Sequence, residues 1–224
     1  MIKNRILPFL SLSLLLFVNN ALASSEAEPD TLLKSNTYNL IQGLKDSKST
    51  SKLNPEVVHK LVTTHIAPQL DFIAASRWVL GKHWPEIDRA QKIRFIKEFR
   101  KLLIRFYSVA LTEYVSNNDV DHGVIKFLPL PSSSHKNEVG NDITVRSIVT
   151  PPNSTKKVTV NYQMHKTRKG WKIYDVSVEG ISMIGTYKSS FEPQLRNMGV
   201  DDLIASLIER NNKIAFKKTS LKTQ

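Results

Sequence analysis

Six histidines are the first residues that could carry chemistry, as metal ligands or as bases, and their spacing favours neither. His59 and His65 stand six apart, which puts them on different faces of a helix. His83, His122, His135 and His165 stand alone, and no H-E-x-x-H spacing occurs. Asp119-Val-Asp121-His122-Gly123 is an acidic cluster with a histidine, but it lacks the further ligands and the final Glu of a calcium loop. It reads as a turn before a strand. Gly180-Ile-Ser182 lacks the second glycine of a nucleophile elbow. Asp175 and Glu179 could supply a base to a pocket in an α+β enzyme, though no residue of matched chemistry stands beside them. The chain has no cysteine, which excludes a thiolate zinc site, a cysteine nucleophile, a disulfide framework and a lipid-bearing cysteine. The expectation is a protein with no catalytic residue, no metal and no cofactor.

The aromatic residues say more as a group. Phe95, Phe99, Leu102, Leu103, Phe106, Tyr107, Ala110, Leu111 and Tyr114 recur at intervals of three and four, the period of one apolar helix face. Asp88 and Gln91 make a capping box at the start of that helix. Tyr162, Trp171 and Tyr174 fall on strands further along. Such a helix facing such a sheet makes either a filled core or a sheet curled around an apolar hollow. Periodicity does not separate the two.

The elements that would position these residues follow from local signals. Pro29 opens a helix reaching about Lys45, and Asp46 to Lys52 reads as a polar linker. Asn54-Pro55-Glu56 starts a second helix and Asp71 caps a third that ends at Gly81. After Asn117-Asn118 the period switches to two. Strands are predicted over 120–130, 143–149, 158–164 and 171–178, with a hairpin turn at Arg168-Lys169-Gly170 and a polar loop over 132–141. Trp171 and Ile173 would point to one face of the last of these strands, and Tyr174, Val176 and Val178 to the other, as in a strand covered on both sides. Helical spacing returns from Ile184 and stops at Gly199. Asp201 caps a last helix, and a mobile basic tail is expected over 213–224. The class is α+β: a helical part over about 30–117, an antiparallel sheet over about 120–180 and helices over about 184–211.

The first residues read as an address. Lys3 and Arg5 precede a 13-residue apolar run, Ile6 to Val18, and Ala21-Leu22-Ala23 offers small residues two apart. This is the pattern of a signal peptide over 1–23, cleaved after Ala23, and the run is shorter than the ~20 residues of a spanning helix. Cleavage lowers the formal charge from +12 to +10 by removing Lys3 and Arg5. With export, the positive charge points to anionic membrane surfaces and acidic proteins rather than to nucleic acid. From Arg77 to Tyr107 basic residues outnumber acids nine to three. That is a solvated basic face or, in part, a docking or headgroup surface.

Several segments together carry a resemblance: Asp71-Phe-Ile-Ala-Ala-Ser-Arg-Trp-Val-Leu-Gly-Lys-His-Trp84, Gln91 to Phe99, Leu102-Leu-Ile-Arg-Phe-Tyr107, Tyr187-Lys-Ser-Ser-Phe191 and Gly199-Val-Asp-Asp-Leu-Ile204. The most specific is Gly170-Trp-Lys-Ile-Tyr-Asp-Val-Ser-Val-Glu-Gly-Ile-Ser182. Taken in chain order, from about Leu53 to Asn211, they resemble the MlaC family of the Mla (maintenance of lipid asymmetry) pathway, also called the toluene-tolerance auxiliary family. The 132–141 loop is longer and more polar than that pattern, and Thr186 stands where asparagine is expected. The resemblance implies an NTF2-like curved sheet packed with a helical subdomain, and an apolar pocket for phospholipid acyl chains between them. It also implies a periplasmic carrier that meets an inner-membrane ABC transporter complex and an outer-membrane lipoprotein–porin complex. A hopanoid or other polyisoprenoid carrier of the same fold is the alternative cargo. On the apolar phase of the helix and strands, the candidate pocket residues are Trp78, Phe99, Leu103, Phe106, Tyr107, Val145, Tyr162, Met164, Ile173 and Val176.

Overall fold

The computed structural model describes residues 28–130 and 142–220. The leader over 1–23 and the polar loop over 132–141 fall outside the described residues, as does the end of the tail. Helices α1 (Pro29–Ser49), α2 (Pro55–His65), α3 (Phe72–Leu80) and α4 (Arg89–Asn117) come first. Strands β1 (Ile125–Phe127), β2 (Asp142–Val149), β3 (Val158–Thr167), β4 (Gly170–Val178) and β5 (Ile181–Ser182) follow, and α5 (Met183–Ser220) closes the fold. The strands form one antiparallel sheet in sequence order. No helix among the described residues is long and apolar enough to cross a membrane.

The helix starts follow their capping residues. Asn54 Oδ1 accepts from the backbone N–H groups of Glu56 and Val57. Asp71 Oδ1 does the same for Ile73 and Ala74. At Asp88 both halves of the capping box form, Gln91 N–H to Asp88 and Asp88 N–H to the Gln91 side chain. Each satisfies helix N–H groups that would otherwise have no intrahelical partner.

The boundaries of three expected elements need correction. The segment 46–52 is not a linker throughout, since α1 runs to Ser49. The strand expected over 120–130 shrinks to Ile125–Phe127. Asp121 takes the Gly123 N–H into a 3-10 turn over His122–Val124, a local bond that competes with the sheet ladder. The tail is helical as far as Ser220, with no glycine or proline after Gly199 to stop it and a Glu209–Lys213 pair at 2.6 Å on its surface.

Gly199 divides α5, at φ 85° and ψ 179°. That backbone region is nearly closed to residues with a Cβ. The break lets the second half of α5 turn back on the first, and the two halves bury Phe191, Leu195, Leu203, Ile204 and Leu207 in one cluster with Phe95, Phe99 and Leu102 of α4. A Cβ at Gly199 would meet nothing within 4 Å. Gly199→Ala is therefore expected to cost ~1–3 kcal/mol through the backbone alone, read as a lowered denaturant midpoint with unchanged m. Asp201 turns its carboxylate to Gln91 and Arg94 at the start of α4, both at 2.9 Å, and so fastens the two helices.

α4 does not present one continuous apolar face. Phe95, Phe99 and Leu102 pack against α5, while Ile104 and Val115 belong to a second cluster with Leu44, Val58, Val62 and Phe72. Phe106 and Tyr107 are left exposed. A 29-residue helix has room for two stripes, and two neighbours claim them.

Glu98 ties α4 to α5. Asn211 Nδ2 donates to the Glu98 backbone oxygen at 3.1 Å and to its carboxylate at 3.0 Å, and Lys101 Nζ lies 2.7 Å from the same carboxylate. Burial opposes ionisation of Glu98, but the bonds from Lys101 and Asn211 and the charges of Lys101 and Lys97 outweigh it and hold its pKa below the usual value. A lowered folded pKa stabilises the fold above the unfolded value near 4.5, and that contribution is lost as pH falls through the folded pKa. Glu98→Gln is expected to flatten this part of the stability-against-pH curve, measured by urea unfolding between pH 3 and pH 6.

The sheet holds the most consequential irregularity. Tyr162 pairs with Val176 and Gln163 with Asp175, but Met164 pairs with Ile173, so β4 carries one extra residue at Tyr174. Cross-strand partners share a face, and a bulge shifts the alternation by one. Trp171, Ile173 and Val176 therefore all lie on the face of Tyr162 and Met164, with Ile143 and Val145 of β2 beside them. β4 is not a strand apolar on two faces. The bulge gathers its apolar residues on one, where they meet Leu33 of α1 in a third cluster.

Candidate functional site

A cavity of about 200 Å³ lies where the three clusters meet without fusing. Val62 bounds it from α2, Ile66 from just beyond the end of that helix, and Phe72 and Ala75 from α3. α4 adds Phe99, Leu103, Ile104 and Tyr107. β4 adds Ile173, Tyr174, Asp175 and Val176, and α5 adds Met183, Ile184 and Tyr187. Its surface is almost wholly apolar. Tyr107 is the exposed member of the wall, 40% accessible, and marks the opening.

Polar clamps hold the helical wall onto the sheet. The Leu70–Asp71 segment bridges to Ile173, with Asp71 N–H donating to the Ile173 oxygen at 2.7 Å. His165 Nε2 lies 2.9 Å from Asp71 Oδ2, and Lys172 Nζ donates to the Pro68 oxygen at 2.7 Å. Asp71 and Asp175 both reach the cavity wall, yet their oxygens are engaged in structure. Asp71 caps α3 and meets His165. Asp175 accepts from Val176 N, Ile184 N and, at 2.6 Å, Ser182 Oγ, fixing the start of α5. Glu179 sits in the tight β4–β5 turn and accepts from Thr159 N, away from the cavity. The two carboxylates that could have served as a base are thus backbone anchors. Ser182 is likewise spent on Asp175 and Gly185 N.

Three phenols also line the wall; Tyr174 hydrogen-bonds to Asp142, which leaves Tyr107 and Tyr187. Tyr187 and Tyr107 hydrogen-bond to each other. Burial, then the neighbouring Tyr107, pushes the Tyr187 pKa far up against the opposing charge of Arg210. Burial raises Tyr107 as well. Both stay neutral at physiological pH, so this end of the cavity offers hydroxyls and no charge.

The candidate pocket residues divide. Phe99, Leu103, Tyr107, Ile173 and Val176 line the cavity. Trp78 is 58% exposed and stacks on Tyr174 at 6.5 Å, outside the lining. Phe106 is 51% exposed and packs edge-on to Tyr107. Val145 and Met164 are fully buried in the sheet cluster, and Tyr162 packs there against Phe127 with its hydroxyl 3.3 Å from Ser147. Helical phase could not tell Phe106 from Leu103, because both fall at the apolar spacing of α4 and only the packing of the neighbouring elements decides which is covered. Tyr174 was missed because the bulge is invisible to alternation. Val62, Phe72 and Tyr187 carried a signal, each on an apolar stripe, but nothing local aimed them at a common space. Among the described residues no three metal-ligating side chains come together.

The MlaC protein family model matches residues 34–209 of this chain. The chain belongs to the MlaC family. Among curated relatives, the intermembrane phospholipid transport system binding protein MlaC of Haemophilus influenzae is 24% identical over 195 residues, 85% of this chain and 86% of that protein. The toluene tolerance protein ttg2D of Pseudomonas putida is also 24% identical, over 77% of this chain and 75% of that protein. A phospholipid-binding protein from Ralstonia solanacearum, solved in complex with a phospholipid, superposes with a TM-score of 0.69 at 27% identity. The superposition covers 84% of this chain and 99% of that one. Family membership agrees with the α+β architecture above.

Proposed function

We propose that the chain is a periplasmic phospholipid carrier that holds acyl chains in the cavity and performs no catalysis. It moves lipid between an inner-membrane Mla-type ABC transporter complex and an outer-membrane lipoprotein–porin complex. The observation that carries this is the apolar cavity at the junction of the three clusters, in a fold that superposes on a protein solved with phospholipid.

The energetics suit a shuttle. Removing about 30 methylenes from water is favourable by roughly 24 kcal/mol, at about 0.8 kcal/mol each. Relative to a bilayer, which also shields the chains, the net term is near zero, so contacts with a donor or acceptor complex can tip loading or release. A volume of about 200 Å³ is below the roughly 300–1,000 Å³ of ordinary ligand pockets. Uptake of two chains therefore parts the walls, and the weak seams are the boundaries between the three clusters.

Organic extraction of the purified mature protein followed by lipid mass spectrometry tests the reading. Phospholipid at a fixed ratio to protein is expected. Recovery of none, together with no uptake from vesicles, would sink it. A phosphorus-free polyisoprenoid in the extract would replace the cargo with the hopanoid alternative. N-terminal sequencing of the exported protein is expected to begin at Ser24.

A further inference from the structure

We propose that the groove between α2, α3 and α4 is a second ligand site, for the phosphate headgroup of an anionic phospholipid and the first methylenes of its chains. The groove is larger than the cavity, about 570 Å³, and more open. Its apolar part is isoleucine: Ile73, Ile93, Ile96 and Ile104. Ile73 and Ile93 are 57% and 56% exposed, apolar surface left in water unless something covers it. Lys97, Arg100, Lys101 and Arg105 supply the charge, and no carboxylate lines the groove.

Three of these cations are held in place before any ligand arrives. Arg105 donates to the Asn211 backbone oxygen at 2.9 Å, and Lys101 is steadied by Glu98. Arg100 lies over the Phe72 ring at 5.2 Å. Pre-positioned cations lose less freedom on binding an anion. Thr63 lines the same groove, and its buried hydroxyl has no hydrogen-bond partner among the described residues. A buried hydroxyl without a partner is an unmet donor.

The mixture selects the ligand class. A nucleotide would want a platform of Phe, Tyr or Trp faces to stack on; the groove has none of these, and His59 is its one ring. A free phosphate would leave the isoleucines bare. A phosphate carried on an aliphatic body satisfies both. The site is distinct from the cavity yet back to back with it. Ile104 belongs to both walls, and Phe72 lines the cavity while carrying Arg100.

The test is titration of the mature protein with dihexanoyl phosphatidylglycerol below its micelle concentration, followed by amide NMR shifts. Parallel arms use inorganic phosphate and a glutamate-rich peptide. The lipid is expected to shift the amides of Thr63, Ile73, Lys97 and Arg100, and phosphate to bind more weakly. Lys97→Glu is expected to weaken lipid binding at least about fivefold, the worth of one cation near an anionic lipid surface. Ile93→Ser should weaken it further. Both side chains are exposed and lie outside the cavity, so cargo content should stay as in the parent, while Lys97→Glu lowers the melting temperature slightly by setting a like charge near Glu98. Shifts confined to cavity residues such as Leu103 and Val176 would overturn the proposal. So would an unchanged affinity in both variants, phosphate binding as tightly as the lipid, or the peptide binding more tightly than it. The groove would still respond in a protein whose cavity held no lipid, so the two readings fail separately.

Discussion

Leu103→Glu is expected to give a folded protein that purifies without phospholipid. Leu103 is half-buried on α4, lines the cavity and touches two of the three clusters. A carboxylate there can reach water past the exposed Tyr107, so the empty protein keeps its fold. Acyl chains packed against it would have to strip its hydration. Even a partly screened charge makes that penalty ~3 kcal/mol or more, about a hundredfold in retention. Lipid per protein by mass spectrometry, beside a thermal melt followed by circular dichroism, reads both consequences. Leu103→Met, which conserves volume and polarity, should retain its lipid. Retention of wild-type lipid by Leu103→Glu would remove the cavity from the carrier mechanism.

Val145→Asp should have the opposite profile and fail to fold. Val145 is fully buried, pairs with Tyr162 across the sheet and packs with Leu33, Ile143, Met164 and Ile173. It has no route to water, so the charge meets a desolvation cost of several kcal/mol, against a total stability of ~5–15 kcal/mol for a typical domain. Loss of the cooperative melt is the expected result. Val145→Ala separates packing from lipid contact. It should lose about 2 kcal/mol of stability, remain folded and still carry phospholipid. A folded Val145→Ala that purified empty would show that the sheet cluster belongs to the lipid site.

The contrast between these two valine and leucine positions shows what periodicity can read. Both lie on apolar faces of strongly patterned segments. The pattern reports which face is covered, and it says nothing of whether the cover is another side chain or an open space. Local signals performed well where the physics is local. Asn54, Asp71 and Asp88 cap the helices their positions announce, and Arg168-Lys169-Gly170 makes the hairpin between β3 and β4, with Gly170 at positive φ. They failed where a distant partner competes. Asp201 serves Gln91 and Arg94, and Asp175 serves the start of α5. The helix over the basic tail has a local correlate, the lack of any breaker after Gly199, but the run of lysines without an acid reads equally as a solvated tail.

From the order of its residues alone the chain settles its α+β class, the starts of its main helices, the hairpin order of its main strands and, through the Gly170–Ser182 segment, its family. Those rest on capping, turn chemistry and apolar period, which act within a few residues. Only the tertiary structure decides that α4 divides its apolar residues between α5 and α2, that a bulge at Tyr174 turns β4 to one face, and that three clusters stop short of merging around a cavity. A cavity is a relation among surfaces brought together from across the chain, from Val62 to Tyr187. No short-range energy term encodes the space between them.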